Sequence, residues 1–280
     1  MILQRSKIMS KYVSQKSNVD VIAGVVALVI FVIAVLSGLG YWIYLGFQKP
    51  EFDKVTACPI ENGKVSPHSH TVILVDTTDP LTPQQIDAFK VGVNNIAAQL
   101  SPGDLLEIYK LNEEERSYKA PVFSHCKTRD GSDADELTEN KRRIQRKFEK
   151  EYNKPLQLII NNLINTDVSA KRSPIIESIQ SISVNSFEKW NIAGNRHLII
   201  FSDMLQHVPE FSMYKNSVNY KNFSKSDYAA KHKPYMPDVE VTINIFNNNP
   251  KLQKMSTLNF WQKFFSNAGA SVTETYNLGQ

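Results

Sequence analysis

The stretch Thr71-Val72-Ile73-Leu74-Val75-Asp76-Thr77-Thr78-Asp79-Pro80-Leu81-Thr82 decides how the rest of the chain is read. Thr71–Val75 is an unbroken β-branched and aliphatic run, the pattern of a strand buried on both faces inside a parallel sheet. It ends abruptly in Asp76-Thr77-Thr78-Asp79, a cluster of oxygen donors. A helix start follows at once, with Thr82 as N-cap, Pro83 at the first helical position and Gln85 closing a capping box. Open α/β sheets bind ligands beyond the carboxyl ends of their central strands. Carboxylates and hydroxyls at that place raise the question of a metal.

Working outward, Ile86, Phe89, Val93, Ile96 and Leu100 form the apolar stripe of a helix that stops at Ser101-Pro102-Gly103. Residues 104–111 read as a second strand, and Pro121–His125 as a short third one leading into Cys126. Lys141–Lys154 is a strongly basic helix, interrupted by Pro155 and continued by Leu156–Ile164. Ser173-Pro174 opens another helix, with Ser173 as N-cap and Ile175, Ile176, Ile179 and Ile182 facing inward. Arg196–Phe201 is a second buried run, and it too ends in acid, at Ser202-Asp203. Val239–Ile245 alternates apolar and polar residues as a strand buried on one face. A helix carrying Leu258, Trp261 and Phe265 runs to Gly269, and Ser271–Tyr276 closes the chain as a last strand. This alternation over residues 71–276 predicts an α/β fold.

Between the second acidic strand end and the next strand lies residues 204–238, an insertion carrying Phe211, Tyr214, Tyr220, Phe223, Tyr228 and Tyr235. Stretches this long without obvious structure tend to be functional or disordered. Six aromatic residues argue against plain disorder, so they are taken as a partner-binding surface.

Upstream, residues 21–48 contain no charged residue, and Val21–Leu36 is almost wholly aliphatic. About 20 apolar residues span a bilayer core, and Tyr41, Trp42 and Tyr44 sit at the far end as an aromatic belt would. The run is longer than the apolar part of a signal peptide, so residues 21–47 are expected to be an uncleaved transmembrane helix. Residues 1–20 carry a net charge of +3 out of +4 for the whole chain. The positive-inside rule then places the N-terminus in the cytoplasm and the main domain outside the cytoplasmic membrane, in a periplasmic or extracellular space. The nearly neutral remainder gives no case for nucleic-acid binding. Residues 48–70 read as a polar linker, ahead of a domain over 71–280. The two cysteines, Cys58 and Cys126, either form one disulfide in an oxidising compartment or stand as two buried thiols.

The strand ends resemble the von Willebrand factor A domain, whose metal-ion-dependent adhesion site begins with Asp-x-Ser-x-Ser after the first strand. Asp76 and Thr78 match the first two ligand positions, whereas Pro80 stands at the second serine and supplies no hydroxyl. Ser173 resembles the second motif, a Thr before a helix, and Asp203 the third, an Asp after a buried strand. The resemblance implies a doubly wound, mostly parallel sheet with helices on both faces. It also implies a Mg²⁺ site of Asp76, Thr78, Ser173 and Asp203, with Asp79 acting through water. Mg²⁺ retains waters and takes one or two carboxylates; neutral hydroxyls leave its charge open to a partner's carboxylate. The function so implied is a membrane-anchored protein-binding module. The alternatives are a metal-free scaffold subunit of a membrane assembly and, last, a metal-dependent hydrolase with His207 as base.

Other chemistry is thinner. The acidic loop 130–140 lacks the spacing of a helix-loop-helix calcium site. Glu149, Glu151 and that loop offset the basic helix, which reads as a solvated face rather than an anion site. His68 and His70 are expected to be solvent-exposed rather than zinc ligands. No phosphate loop or nucleophile elbow is present, so no catalytic constellation emerges. Ala34-x-x-x-Gly38 fits close helix packing in an oligomer.

Overall fold

The structure, a computed structural model, describes residues 2–47, 50–111, 113–114, 118–164, 170–190, 192–215 and 218–278. Residues 48 and 49 of the expected linker, 216 and 217 of the expected insertion and the last two of the chain lie outside the described residues. The chain divides into two compact units, Met1–Glu51 and Phe52–Gln280. The first is one helix, α1 (Ile2–Phe47). Its 24-residue segment Val21–Tyr44 has a mean hydropathy of 2.9 and is long and apolar enough to cross a membrane. At 1.5 Å per residue it reaches roughly 36 Å, against about 30 Å for a hydrocarbon core. A signal sequence near the N-terminus passes the same test of minimum length and apolarity.

Strands β1 (Glu51–Phe52), β2 (Pro59–Glu61) and β3 (Lys64–Val65) form a small sheet in which β2 and β3 pair antiparallel. The expected linker therefore contains regular structure. The main sheet comprises β4 (His70–Asp76), β5 (Leu105–Leu111), β6 (Phe123–Cys126), β7 (Arg196–Ser202), β8 (Val239–Phe246) and β9 (Ser271–Leu278). Their spatial order is β6-β5-β4-β7-β8-β9. Only β6 runs antiparallel to its neighbour. The helices are α2 (Pro83–Gln99), α3 (Lys141–Phe148), α4 (Lys154–Ile164), α5 (Ile175–Ile182), α6 (Tyr220–Phe223), α7 (Asp227–Lys231) and α8 (Met255–Asn267).

Every residue of β4 is buried, which explains its unbroken apolar run. Val72 and Leu74 pack with Ile175 and Ile179 of α5 and Trp261 and Phe265 of α8. Ile73 and Val75 instead join Phe89 and Val93 of α2 and Leu156 and Ile160 of α4. Each such side chain, fully buried, contributes about 1.5–3 kcal/mol. The capping box forms as its spacing demands: Gln85 N–H donates to Thr82 Oγ1 at 3.3 Å, and Thr82 N–H donates to Gln85 Oε1 at 2.9 Å. Gln85 Nε2 goes on to donate to Asn248 Oδ1 at 2.8 Å, fastening the start of α2 to the end of β8.

Three local expectations are refined or change. The interruption near Pro155 is a π-helical turn at Glu149–Asn153 that joins α3 directly to α4. Widening the turn removes the demand for the amide that proline lacks. Residues 204–238 are not one open insertion. They contain α6 and α7, and Met204, Leu205, Val208, Met213 and Met236 enter the core. His70 is not solvent-exposed; it is buried at the start of β4 with Nε2 3.0 Å from Glu107 Oε2. Only His68 is exposed, its Nδ1 3.2 Å from the Pro102 carbonyl.

Glu107 collects that contact, a hydrogen bond from Ser186 on the same oxygen, and donors from Ser124 at 2.8 Å and Trp190 at 3.2 Å on the other. Burial pushes its pKa up, but the bond and charge of His70 with the serine hydroxyls outweigh it, leaving the carboxyl below its ordinary 4.5. A depressed acid contributes stability in full above its unfolded pKa and loses it as pH falls through the folded one. Wild-type stability is therefore expected to fall below about pH 4.5, with a shallower fall in Glu107→Gln. Urea unfolding between about pH 3 and 5 reads both slopes, and equal slopes would exclude this role.

The approach to β4 also depends on Gly194. A Cβ there would run into the His68 carbonyl oxygen, a backbone atom that has no flexible side chain to yield. Gly194→Ala is expected to lower stability by about 1–2 kcal/mol in thermal unfolding. An unchanged midpoint would show that the turn before β7 relaxes freely.

Candidate functional site

Parallel pairing sets the ends of β4 and β7 side by side. Val75 is opposite Phe201, so the residues that follow, Asp76 and Ser202, become neighbours. Ser202 Oγ donates to Asp76 Oδ2 at 2.7 Å. Thr78 folds back on the other oxygen, its N–H donating at 3.0 Å and its hydroxyl at 2.6 Å, the local turn that Asp favours. Ser173 Oγ adds a bond to Oδ2 at 3.3 Å. Asp76 thus accepts four hydrogen bonds from three separate parts of the chain.

Ser173 is held for this purpose by its backbone, which exchanges hydrogen bonds with His207 at 2.8 and 3.0 Å. It does not cap α5. Pro174 occupies that position and makes no side-chain cap. The hydroxyl expected at the helix end is turned to the carboxylate instead.

Asp203 is aimed by a strained turn. Met204 has φ +60°, a left-handed conformation costing roughly 1–2 kcal/mol for such a residue. Met204 N–H donates to Ser202 Oγ at 2.9 Å, and Trp261 Nε1 donates to the Met204 carbonyl at 2.9 Å. Gln253 Nε2 holds the Asp203 carbonyl at 2.9 Å, and Leu205 N–H donates to its Oδ1 at 2.9 Å. These contacts hold the backbone in its unusual turn.

Asp76 and Asp203 share the lining of a cavity of about 10 Å³ with Thr78, Asp79, Leu81, Phe246 and Asn248. That is room for about one water-sized particle. Burial raises the Asp76 pKa against the opposing hydrogen bonds of Thr78 and Ser202. Burial, then the Asp76 charge, pushes Asp203 well above the ordinary range. Among the described residues, no Lys, Arg or His forms an ion pair with either carboxylate. Two buried acids without a counter-charge favour a proton or a cation.

The donors are all hard oxygens, the set that suits Mg²⁺ rather than zinc. Asp76, Asp203 and Thr78 line the same cavity, Ser173 is bonded to Asp76 beside it, and the half-buried Asp79 lies on the rim. Pro80 is exposed and adds no oxygen. Among the described residues, no three His, Cys, Asp or Glu side chains are grouped to share an ion. Hydroxyls and water would have to complete any shell. The uncompensated charge and the oxygen set suit a divalent ion, while the cavity itself has room for about one water-sized particle.

Of the expected partner-binding aromatics, Phe223 and Tyr228 are buried, and Phe211 and Tyr220 pack against the same core cluster. Phe211 lies 4.9 Å from Phe223 and 5.7 Å from Phe260, ring centre to ring centre. These four serve the core, because an aromatic cluster this dense leaves little ring surface for a partner. Tyr235 is 75% exposed and Tyr214 45%. Tyr214 lies near the site, where burial and then the Asp203 charge raise its phenol pKa. His207, the candidate base, has its Nδ1 2.8 Å from Ser212 Oγ and its ring beside Tyr214. Cys58 and Cys126 form a disulfide with Cα atoms 4.8 Å apart.

Ser202 is the site residue that sequence reasoning passed over. Its signal was its place in Phe201-Ser202-Asp203, a hydroxyl at the last position of a buried strand. A far larger hollow, about 780 Å³, lies beside α5 and α7, lined by Arg172, Lys231, Glu177, Glu210 and Asp227 among others. Its mixed charges select no ligand sign, so the acidic strand ends carry the stronger chemical case. Comparison with known protein families and with curated protein sequences finds no match to the chain.

Proposed function

We propose that this chain is a single-pass membrane protein whose outer domain, a doubly wound von Willebrand factor A-like fold, binds a protein partner at the Asp76–Asp203 strand ends. The observation that carries the reading is the pair of buried carboxylates without counter-charge, ringed by the Thr78, Ser173 and Ser202 hydroxyls. The division of β4 side chains between two apolar clusters supports the doubly wound architecture. A Mg²⁺ held by Asp76, Thr78, Ser173 and Asp203, with Asp79 through water, would neutralise the pair and offer a coordination position to a partner's carboxylate. Within the chain, Ser202 orients Asp76, the Met204 turn orients Asp203, and the exposed Tyr214 stands where a partner would approach. Thr71–Val75 acts as the rigid base from which the first acids project.

The disulfide supports an oxidising compartment for the domain. The basic first 20 residues support a cytoplasmic N-terminus. A second reading, a metal-free scaffold subunit, draws on the hydroxyls, which all turn inward onto Asp76 and leave a small cavity.

Full-length protein, purified from membranes in mild detergent, separates the two. In the first reading the same protein partner co-purifies with wild type in Mg²⁺ and is lost both in chelator and in Asp203→Asn. Recovery of that partner in all three conditions would retire the metal and favour the scaffold.

A further inference from the structure

The basic helix has a different environment from the one its sequence neighbourhood implies. Four of the five acids just upstream are engaged elsewhere. Arg129 pairs with Asp133 at 3.1 Å and Glu139 at 2.6 Å. Asp130 and Asp135 accept bonds from their own turns. Within the helix, Glu149 accepts from Asn153 at 2.9 Å, and Glu151 stands 3.7 Å from Lys147. Arg142, Arg143, Arg146, Lys150 and Lys154 are all exposed, and among the described residues none of them forms an ion pair. These five cations therefore stand without a directly paired acid.

Apolar side chains lie beside it. Phe52, Val55 and Leu158 line one groove with Lys54, Lys147, Asp53 and Glu151 and are 51%, 81% and 61% exposed. Asp53 in the same groove is engaged by Thr56 and the Val55 amide. Exposed aromatic and aliphatic groups next to a helix carrying unpaired lysines and arginines are the composition of a surface that rests in a lipid headgroup layer. Covalent geometry keeps such a layer within reach. Phe52 follows Tyr44, the end of the apolar segment, by only eight residues, about 28 Å even if fully extended.

We propose that α3 and the Phe52–Val55–Leu158 groove form a docking surface for anionic lipid in the leaflet facing the domain. The inference rests on Val21–Tyr44 being a membrane span. The lysines and arginines meet the headgroup charge, while Phe52, Val55 and Leu158 enter the boundary region. Each cation near an anionic surface strengthens the association by roughly fivefold.

The test reconstitutes the full chain in nanodiscs of phosphatidylcholine alone or with roughly 30% phosphatidylglycerol, and reads amide hydrogen exchange. Exchange over 141–150 and 52–56 is expected to slow at least fivefold on the anionic discs and to recover in high salt. The Arg143→Glu/Arg146→Glu/Lys150→Glu variant, altered only at exposed positions, is expected to lose the slowing. Equal exchange on both discs would overturn the proposal. Slowing caused by added poly-glutamate but not by anionic lipid would also overturn it, assigning the face to an acidic polypeptide. Failure of the span reading shows separately, as protein that does not stay in either disc.

Discussion

Loss of the Cys58–Cys126 bridge is expected to lower stability by about 4 kcal/mol. The bridge spans 68 residues, and the loop-closure entropy returned to an unfolded chain of that length is about 4 kcal/mol. The surroundings make the bridge matter locally as well. Both sulfurs are buried with Leu105 and Ile192. β6 has four residues and pairs only with β5 on one side. On its outer side the Cys126 amide donates to the Thr56 carbonyl at 2.7 Å, so the bridge and this bond together hold residues 53–58 against the sheet edge. The Cys58→Ser/Cys126→Ser pair avoids a lone thiol, and urea unfolding compares it with wild type in the absence and presence of reductant. A difference under 1 kcal/mol would mean that residues 53–58 are held by their other contacts.

The second large effect divides the two site carboxylates. Asp76→Ala leaves the hydroxyls of Thr78, Ser173 and Ser202 buried without their acceptor, and a loss of about 3 kcal/mol is expected. Asp203→Asn keeps the shape but removes one of two adjacent buried charges, and a gain of about 2 kcal/mol is expected without divalent ions. Their pH behaviour has the opposite sign to that of Glu107. Both site acids have folded pKa values above the ordinary 3.8, so their charged forms oppose folding. That penalty is relieved as pH falls through the raised values toward 3.8. Wild type should gain stability from the site on mild acidification, and Asp203→Asn should lack that gain. Thermal unfolding over pH, with and without Mg²⁺, checks it. If wild type and Asp203→Asn show the same pH dependence and the same response to Mg²⁺, neither proton nor cation is shared between the two acids.

Much of the architecture was legible because its signals are local. The run Thr71–Val75 announces a buried strand, Thr82-Pro83 with Gln85 announces the start of α2, and the isoleucines at 175, 176, 179 and 182 announce the buried stripe of α5. Two local signals are only partly right. Pro155 marks an interruption of the basic helix, and a π-turn carries the helix across it. Ser173 reads both as the cap of its helix and as a site hydroxyl grouped with Asp76, and only the second contact forms. The aromatic residues of 204–238 resemble a binding surface because nothing in their order reveals that Phe260 of a later helix packs against Phe211, Tyr220 and Phe223.

The sequence by itself therefore determined the elements, the acidic ends of β4 and β7, the apolar N-terminal segment and the pair of cysteines available for bridging. Only the tertiary structure decided which acids share a cavity, which hydroxyls serve them and which cations are left free. Asp76 meets Ser173 across 97 residues and Ser202 across 126, and His70 meets Glu107 across 37. The reason is physical. Helical and strand periodicity is written by near neighbours through sterics and burial. Strand order and register come from the packing of whole elements, and they set which distant polar groups leave water together.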